Sequence, residues 1–139
     1  SVIGNVFRSL NGRIDRVESV DTTFADLDFN RTRDLVFTGN TFHNVNALVA
    51  NPIHLRHTQA TEATTWVVAT DMALPFGGRA LAVDSVLPNG EITDASDNRV
   101  HALPWSEAAQ GTDQREIHLN WSRPVKGEVN YAVRMDRLD

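Results

Sequence analysis

The fold is decided by a pattern that occurs twice in the first part of the chain, as Val2-Ile3-Gly4-Asn5-Val6-Phe7 and as Phe37-Thr38-Gly39-Asn40-Thr41-Phe42. Each copy has a large apolar residue at both ends and Gly-Asn between them. Glycine and asparagine adopt left-handed backbone angles most easily, so each pair predicts a sharp bend between two short strands. Such bends, flanked by inward-facing apolar residues, are typical of the coils of a parallel β-helix.

The same alignment places Leu10 on Val45 and stacks Asn5 on Asn40, whose amides could then hydrogen-bond along the stack. The copies lie 35 residues apart, which is more than one coil needs. The alignment therefore requires either an insertion or an intervening coil. Two further strands are predicted in this part, at Phe24–Phe29 and Ile53–Leu55.

A helical alternative fits the same residues. Apolar side chains also recur at steps of four and three, at Ile3, Phe7, Leu10, Ile14, Val17 and Phe24. This heptad spacing is typical of a short coiled-coil stalk. Gly4 and Gly12 oppose it, because each costs about 1 kcal/mol inside a helix. The pattern favours β-coils and leaves the stalk open.

The second part of the chain alternates as antiparallel strands do. Apolar residues at every second position predict strands over Ile117–Trp121 and Val129–Met135, with a hairpin loop at 122–128. Asn89-Gly90 predicts another hairpin, since Asn-Gly suits the tight turns that join strands. The remaining predicted strands are Trp66–Thr70, Arg79–Leu87, Glu91–Thr93 and Arg99–Leu103. Six short strands predict an antiparallel β-sandwich.

The sequence thus predicts an all-β protein in three segments. Residues 1–56 form β-helix-like coils or a stalk, the polar and Thr-rich stretch 57–65 is a connector, and residues 66–139 form the sandwich module. The strand-like start at Ser1-Val2-Ile3 suggests a fragment of a longer protein.

Composition excludes several classes of function. The 139 residues include no cysteine, which removes disulfides, thiolate metal sites and cysteine nucleophiles. The net charge of −5 disfavours nucleic acid as a partner, because binding phosphates needs a basic face. Apolar runs are too short to insert into a membrane.

Motifs for catalysis are missing: the sequence has no P-loop, dinucleotide fingerprint, nucleophile elbow or zinc-protease helix. His54 and His57 would point to opposite faces of a strand, so they make a poor metal chelate. The Asp26 and Asp28 pair is interpreted as surface carboxylates, and the loop Asp94–Asn98 as a turn. We therefore predict no catalytic residue, no metal site and no cofactor.

Three tryptophans lie in the second part. Trp66 and Trp121 fall within predicted strands and are expected in the core. Trp105 follows Leu103-Pro104, ahead of a polar stretch, and is the candidate for an exposed ring on which a sugar could stack. Trp105 is the one predicted carbohydrate-binding residue.

With the paired Gly-Asn coils, Leu74-Pro-Phe-Gly-Gly-Arg79 and the closing strands, the chain resembles the carboxy-terminal end of right-handed parallel β-helix proteins of the phage tailspike and polysaccharide-lyase type. In these proteins the last coils lead into a small β-sandwich. The resemblance implies a homotrimeric spike, a virion or extracellular setting and a bacterial surface polysaccharide as partner. It transfers no catalytic residue, because no position matches a catalytic motif.

Assembly is also expected on physical grounds, because two or three coils have open ends and too small a core to be stable alone. The leading hypothesis is a trimerising, carbohydrate-contacting terminal domain of a tailspike-like protein. The second is a purely structural virion protein, such as a fibre knob or capsid decoration protein, that binds protein neighbours. The third is an autonomous lyase or glycosidase.

Overall fold

The structure is a computed structural model that describes residues 1–137, and it is all-β as predicted. Two 3-10 helices, Phe29–Arg31 and Pro75–Gly77, are the helical elements of this range. The eight strands in chain order are β1 (Val2–Ile3), β2 (Val6–Arg8), β3 (Phe37–Thr38), β4 (Thr41–His43), β5 (Ile53–Ala69), β6 (Ala82–Pro88), β7 (Trp105–Gln110) and β8 (Glu116–Arg134).

The two copies of the repeated pattern lie directly against each other, and we call the four strands β1–β4 that they form the coil stack. β1 pairs in parallel with β3, and β2 with β4, so that Phe7 stands opposite Phe42 as the sequence alignment predicts. The two rings stack with centroids 5.5 Å apart. The Oδ1 atom of Asn40 accepts from the backbone N–H of Asn5 at 2.8 Å and from its Nδ2 at 3.2 Å. The predicted asparagine stack is therefore confirmed.

Farther along the coil the alignment is wrong, because Ile14 and not Leu10 pairs with Val45. The extra chain length is an insertion, since no other strand separates the two copies among the described residues. The predicted strand Phe24–Phe29 does not form, and Phe24 is 95% exposed. The Asp28 carboxylate accepts from the Asn30 N–H at 3.0 Å and starts a 3-10 turn there, which competes with strand pairing.

The helical stalk is also wrong. Gly4 has φ +67° and Gly12 φ +116°, backbone angles that no right-handed helix contains. These glycines serve as bends between short strands. The first part of the chain therefore follows the β interpretation of the repeat.

The second part is built on two long strands. β5 pairs antiparallel with β8 from Ile53 opposite Val133 to Ala69 opposite Glu116, with register shifts between Gln59 and Thr65. β6 and β7 pair with the carboxy- and amino-terminal halves of the other edge of β8. The predicted hairpin loop 122–128 is instead strand, within β8. The predicted connector 57–65 lies within β5 and runs beside the segment 122–128 of β8, with Gln59 opposite Gly127 and Ala63 opposite Val125. The polar composition of residues 57–65 concealed this pairing, because most of these residues are exposed to solvent.

Some of the shorter predicted strands form, and others do not. β6 confirms most of the segment predicted at Arg79–Leu87, and Ile53–Leu55 and most of Trp66–Thr70 lie within β5. The Asn89-Gly90 hairpin is wrong, because the residues after it form only isolated bridges, such as Thr93 with Arg99. The strand predicted at Arg99–Leu103 is likewise absent, and β7 begins at Trp105 instead.

One face of the sheet carries the core. Alternate residues of β8 point into it, and the loops before β6 and before β7 cover it with Leu74, Ala80, Ile92 and Val100. The described residues thus form open sheets. The parallel β-helix and the two-sheet sandwich stay predictions. No helix in this range is long and apolar enough to cross a membrane.

Candidate functional site

The candidate site is centred on Trp105, whose residue surface is 71% exposed. The sequence predicted an exposed ring at this position, and the structure places one there. Trp105 is the first residue of β7 rather than part of a loop. Its backbone is therefore held by pairing with β8, and the large apolar ring stands on an ordered strand in contact with water.

The ring belongs to a row of side chains that crosses three strands. Trp105 stands opposite Asn120 of β8, and Asn120 stands opposite Thr65 of β5. Directly paired residues of neighbouring strands lie on the same face of a sheet. Leu119 and Trp121 point into the core, so Asn120, between them, points the other way. The row therefore lies on the solvent face.

A second row runs beside the first. Glu107 of β7 stands opposite His118 of β8, and His118 opposite Val67 of β5. We call the two rows together the Trp105 face, composed of Thr65, Val67, Trp105, Glu107, His118 and Asn120. The face joins one broad aromatic ring to hydroxyl, amide, imidazole and carboxylate groups.

Hydrogen bonds fix the polar groups of the Trp105 face. The Thr65 hydroxyl donates to Asn120 Oδ1 at 2.8 Å, and Asn120 Nδ2 donates to Glu107 Oε2 at 3.2 Å. The chain of bonds orients the Asn120 amide, whose second N–H and the free lone pairs of Glu107 remain for a ligand. His118 Nε2 lies 3.6 Å from Glu116 Oε2 at the edge of the face.

This arrangement suits the recognition of a sugar. The negative face of an aromatic ring attracts the weakly positive C–H groups of a pyranose, and polar groups beside it select hydroxyls by hydrogen bonding. Because hydrogen bonds already hold the Asn120 amide, little of its side-chain freedom is lost on binding. The face is open, and thus compatible with an extended glycan.

The other two tryptophans are core residues, as predicted. Trp66 and Trp121 are buried, and their rings are tilted with centroids 4.8 Å apart. Trp66 Nε1 donates to the carbonyl of Val125 at 3.1 Å, which satisfies the buried indole. These rings hold β5 and β8 together beneath the Trp105 face.

The remaining candidates from the sequence are dispersed. His54 is exposed while His57 is half-buried, on opposite faces of β5, as an offset of three requires. Asp26 lies outside any strand, and Asp28 caps a 3-10 helix, so these carboxylates do not share a strand face. Residues 1–137 contain no group of three or more side chains that could hold a metal ion.

The loop Asp94–Asn98 is a turn closed by its own side chain. Asp94 Oδ1 accepts from the N–H groups of Ser96 at 2.9 Å and Asn98 at 3.0 Å. The hydrogen bond from the Asn98 backbone, more than any other contact, lowers the pKa of Asp94. The oxygens are thus engaged locally.

Sequence reasoning missed Glu107, Asn120 and Thr65 as members of the site. The alternation of β8 did place His118 and Asn120 opposite the core. The missing information was the pairing partner, because nothing in the composition of residues 105–110 marks them as the strand beside β8. No protein-family model, curated protein or solved structure matches this chain.

Proposed function

We propose that this chain is a homotrimeric, carbohydrate-contacting terminal domain of a phage tailspike-like protein that engages bacterial surface polysaccharide. The observation that carries the proposal is the Trp105 face, an exposed indole beside an amide and a carboxylate that are hydrogen-bonded to each other. In this proposal the stacked strand pairs are the end of a parallel β-helix, the sheet with its covering loops is the sandwich-like module, and the protein acts on a virion or outside the cell.

The proposed trimer rests on the small core of the first part. Two strand pairs bury little apolar surface, and large apolar residues stand in solvent along the coil, notably Leu10 at 84% exposure and Phe24 at 95%. Burial of such side chains between copies would supply roughly 25 cal/mol for each Å² removed from water. Association therefore offers the stabilisation that one copy lacks.

The test of the binding site is Trp105→Ala, with Leu103→Ala as the matched control, since Leu103 is equally an exposed apolar residue two positions away. Calorimetric titration with bacterial capsular or O-antigen polysaccharide should show binding by the wild type and by the control. We expect a loss of affinity of about fivefold or more for Trp105→Ala, because stacking contacts are worth about 1 kcal/mol or more. Equal affinity of all three proteins for the polysaccharide would show that Trp105 is not part of a binding site.

The oligomer is tested by sedimentation velocity at micromolar concentration. A mass of three chains supports the proposal, and a monomer contradicts it. Trp105→Ala should leave that mass unchanged, since Trp105 lies on the sheet and not on the coil.

A second candidate is a purely structural virion protein that binds protein neighbours. Seven large apolar side chains between residues 3 and 27 are exposed, Leu10 and Phe24 the most, and this concentration favours the candidate, because grouped apolar side chains mark protein contact surfaces. It would replace the first proposal if the wild type assembled into oligomers yet bound no polysaccharide, and if Phe24→Ser weakened the assembly.

A further inference from the structure

A cavity of about 530 Å³ opens at the end of the coil stack where β1 and β2 lie. Its apolar wall consists of Val2, Phe7, Val17, Leu35, Phe37 and Phe76. The Phe7 and Phe37 rings are nearly parallel, with centroids 6.3 Å apart. The volume is within the range of sites that hold ligands, and the wall is of the kind that holds an apolar side chain.

One polar group in this wall lacks a partner. Glu18 lines the cavity, and its side chain is only 4% exposed. Its Oε1 accepts from Arg16 Nε at 2.7 Å and from the Phe76 N–H at 3.2 Å. Its Oε2 is buried with no hydrogen-bond partner among the described residues. A buried acceptor left unsatisfied costs about 1–3 kcal/mol, so the cavity favours an occupant that donates a hydrogen bond.

The strands above the cavity also have a free edge. β1 and β2 each belong to a two-stranded sheet, and their second edges are unpaired within residues 1–137. Within residues 1–137, Asn5 receives no hydrogen bond at its Oδ1, although Asn40 below it receives two from Asn5. The upper coil therefore presents the same acceptor that the lower coil uses to bind the coil stacked on it.

We infer that this end of the stack binds an extended polypeptide that adds parallel to β1 and β2. The occupant carries a Gly-Asn bend above Gly4-Asn5 and an apolar side chain above Phe7. Its backbone N–H at the asparagine donates to Asn5 Oδ1, as the Asn5 N–H does to Asn40. Main-chain pairing supplies the affinity of such strand addition, and the side-chain cavity supplies the selectivity.

A second copy stacked head to tail does not fit. The far edge of β3 is occupied, because Phe37 and Asn51 exchange two backbone hydrogen bonds of 3.1 and 2.8 Å. A copy therefore cannot offer β3 to the free edge of β1. The partner is a separate segment with the coil motif, and the inference stands independently of sugar binding.

The probe is a synthetic peptide with the sequence of Val36–Asn46, added to the isotopically labelled full chain. We expect saturable NMR shifts confined to residues 2–8 and to the cavity wall. Phe7→Ala should weaken binding about tenfold, the worth of one aromatic stacking contact. Leu10→Ala should bind as the wild type does, because Leu10 is a coil residue outside the cavity. A peptide with Gly39→Val and Asn40→Val should not bind.

Three results would overturn the inference. They are absence of saturation at about millimolar peptide, shifts that map to the sheet of β5–β8, and an affinity loss in Leu10→Ala as large as in Phe7→Ala. If Phe7→Ala fails to fold, Asn5→Ala replaces it, since Asn5 is exposed and its loss removes the acceptor without opening the core. A severalfold loss is then expected, and unchanged affinity would contradict the inference.

Discussion

Asn51 donates from Nδ2 to Asp136 Oδ1 at 2.7 Å, across 85 residues of sequence, and both side chains are fully buried. The bond is the centre of a polar network between the coil stack and the end of β8. Asn51 Oδ1 accepts from the Met135 N–H at 2.9 Å, and Asp136 Oδ2 accepts from the Leu35 N–H at 2.8 Å. Each amide and carboxylate oxygen therefore binds the other part of the chain.

Replacing Asp136 by asparagine should destabilise the protein by about 3 kcal/mol, because it leaves the buried Arg134 guanidinium, 3.0 Å away, without its counter-charge. Urea denaturation at neutral pH measures the loss. Asp84→Asn is the control, since Asp84 is an exposed carboxylate on β6, and it should change little. Equal effects of both changes would mean that the network is not a stabilising element.

Stability should fall in acid through the same carboxylate. Burial by itself raises the pKa of Asp136, but hydrogen bonds from Asn51, Arg134 and the Leu35 N–H outweigh it, and the pKa is lowered. In the unfolded state the pKa of this carboxyl is about 3.9, so just below that pH the unfolded state binds more protons than the folded state does. The contribution is complete above the unfolded pKa and is lost as pH falls through the folded one. Urea midpoints from about pH 6 to 3 should decline less in Asp136→Asn than in wild type.

Replacing Trp66 and replacing Trp105 should have very different effects on the free energy of unfolding. Trp66→Ala should cost about 3–5 kcal/mol, because it empties the core between β5 and β8 and removes a buried hydrogen bond to Val125. Trp105→Ala should change the free energy of unfolding by less than about 0.5 kcal/mol, since its ring is in solvent. Chemical denaturation compares them, and a large cost at Trp105 would show that its ring packs against the sheet.

Gly127 should tolerate no side chain. Its φ is +146°, and a Cβ there would lie 2.7 Å from Ile92 Cδ1 and 2.9 Å from the Glu91 carbonyl oxygen. Gly90 is the matched control, because its φ of +101° is equally unsuited to alanine while the space around it is open. Gly127→Ala should cost about 2 kcal/mol more than Gly90→Ala, the typical penalty of overpacking. Equal costs in thermal denaturation would assign the whole effect to the backbone angle.

The coil stack was predictable from the sequence because its determinants are local. Gly4-Asn5 and Gly39-Asn40 fix bends by their own backbone preferences, and alignment of the two copies on Gly-Asn and the following Phe gives the pairing directly. The alignment holds as far as Arg8 opposite His43 and fails beyond it, where Leu10 has no bend to fix its place. The chain continues through Gly12, and Ile14 is the residue that pairs with Val45.

The sheet was less predictable because its pairing is not local. Period-two alternation identified both ends of β8, but Arg123-Pro124 and the polar middle of β5 have turn-like and loop-like compositions. They lie within strands because β5 and β8 pair on both sides of them, as at Gln59 with Gly127 and at Thr65 with Asn120, across more than fifty residues of sequence. Trp105 was found from its surroundings, whereas Glu107 and Asn120 could be joined to it only by the register of β7.

Because β5, β6 and β7 all pair with β8, none of them has its main partner during synthesis until β8, which follows them in the chain, leaves the ribosome. The nascent protein would hold three unsatisfied strands at that stage, and such strands are prone to aggregate. Residues up to about Arg134 must therefore have emerged from the ribosome before this sheet can close.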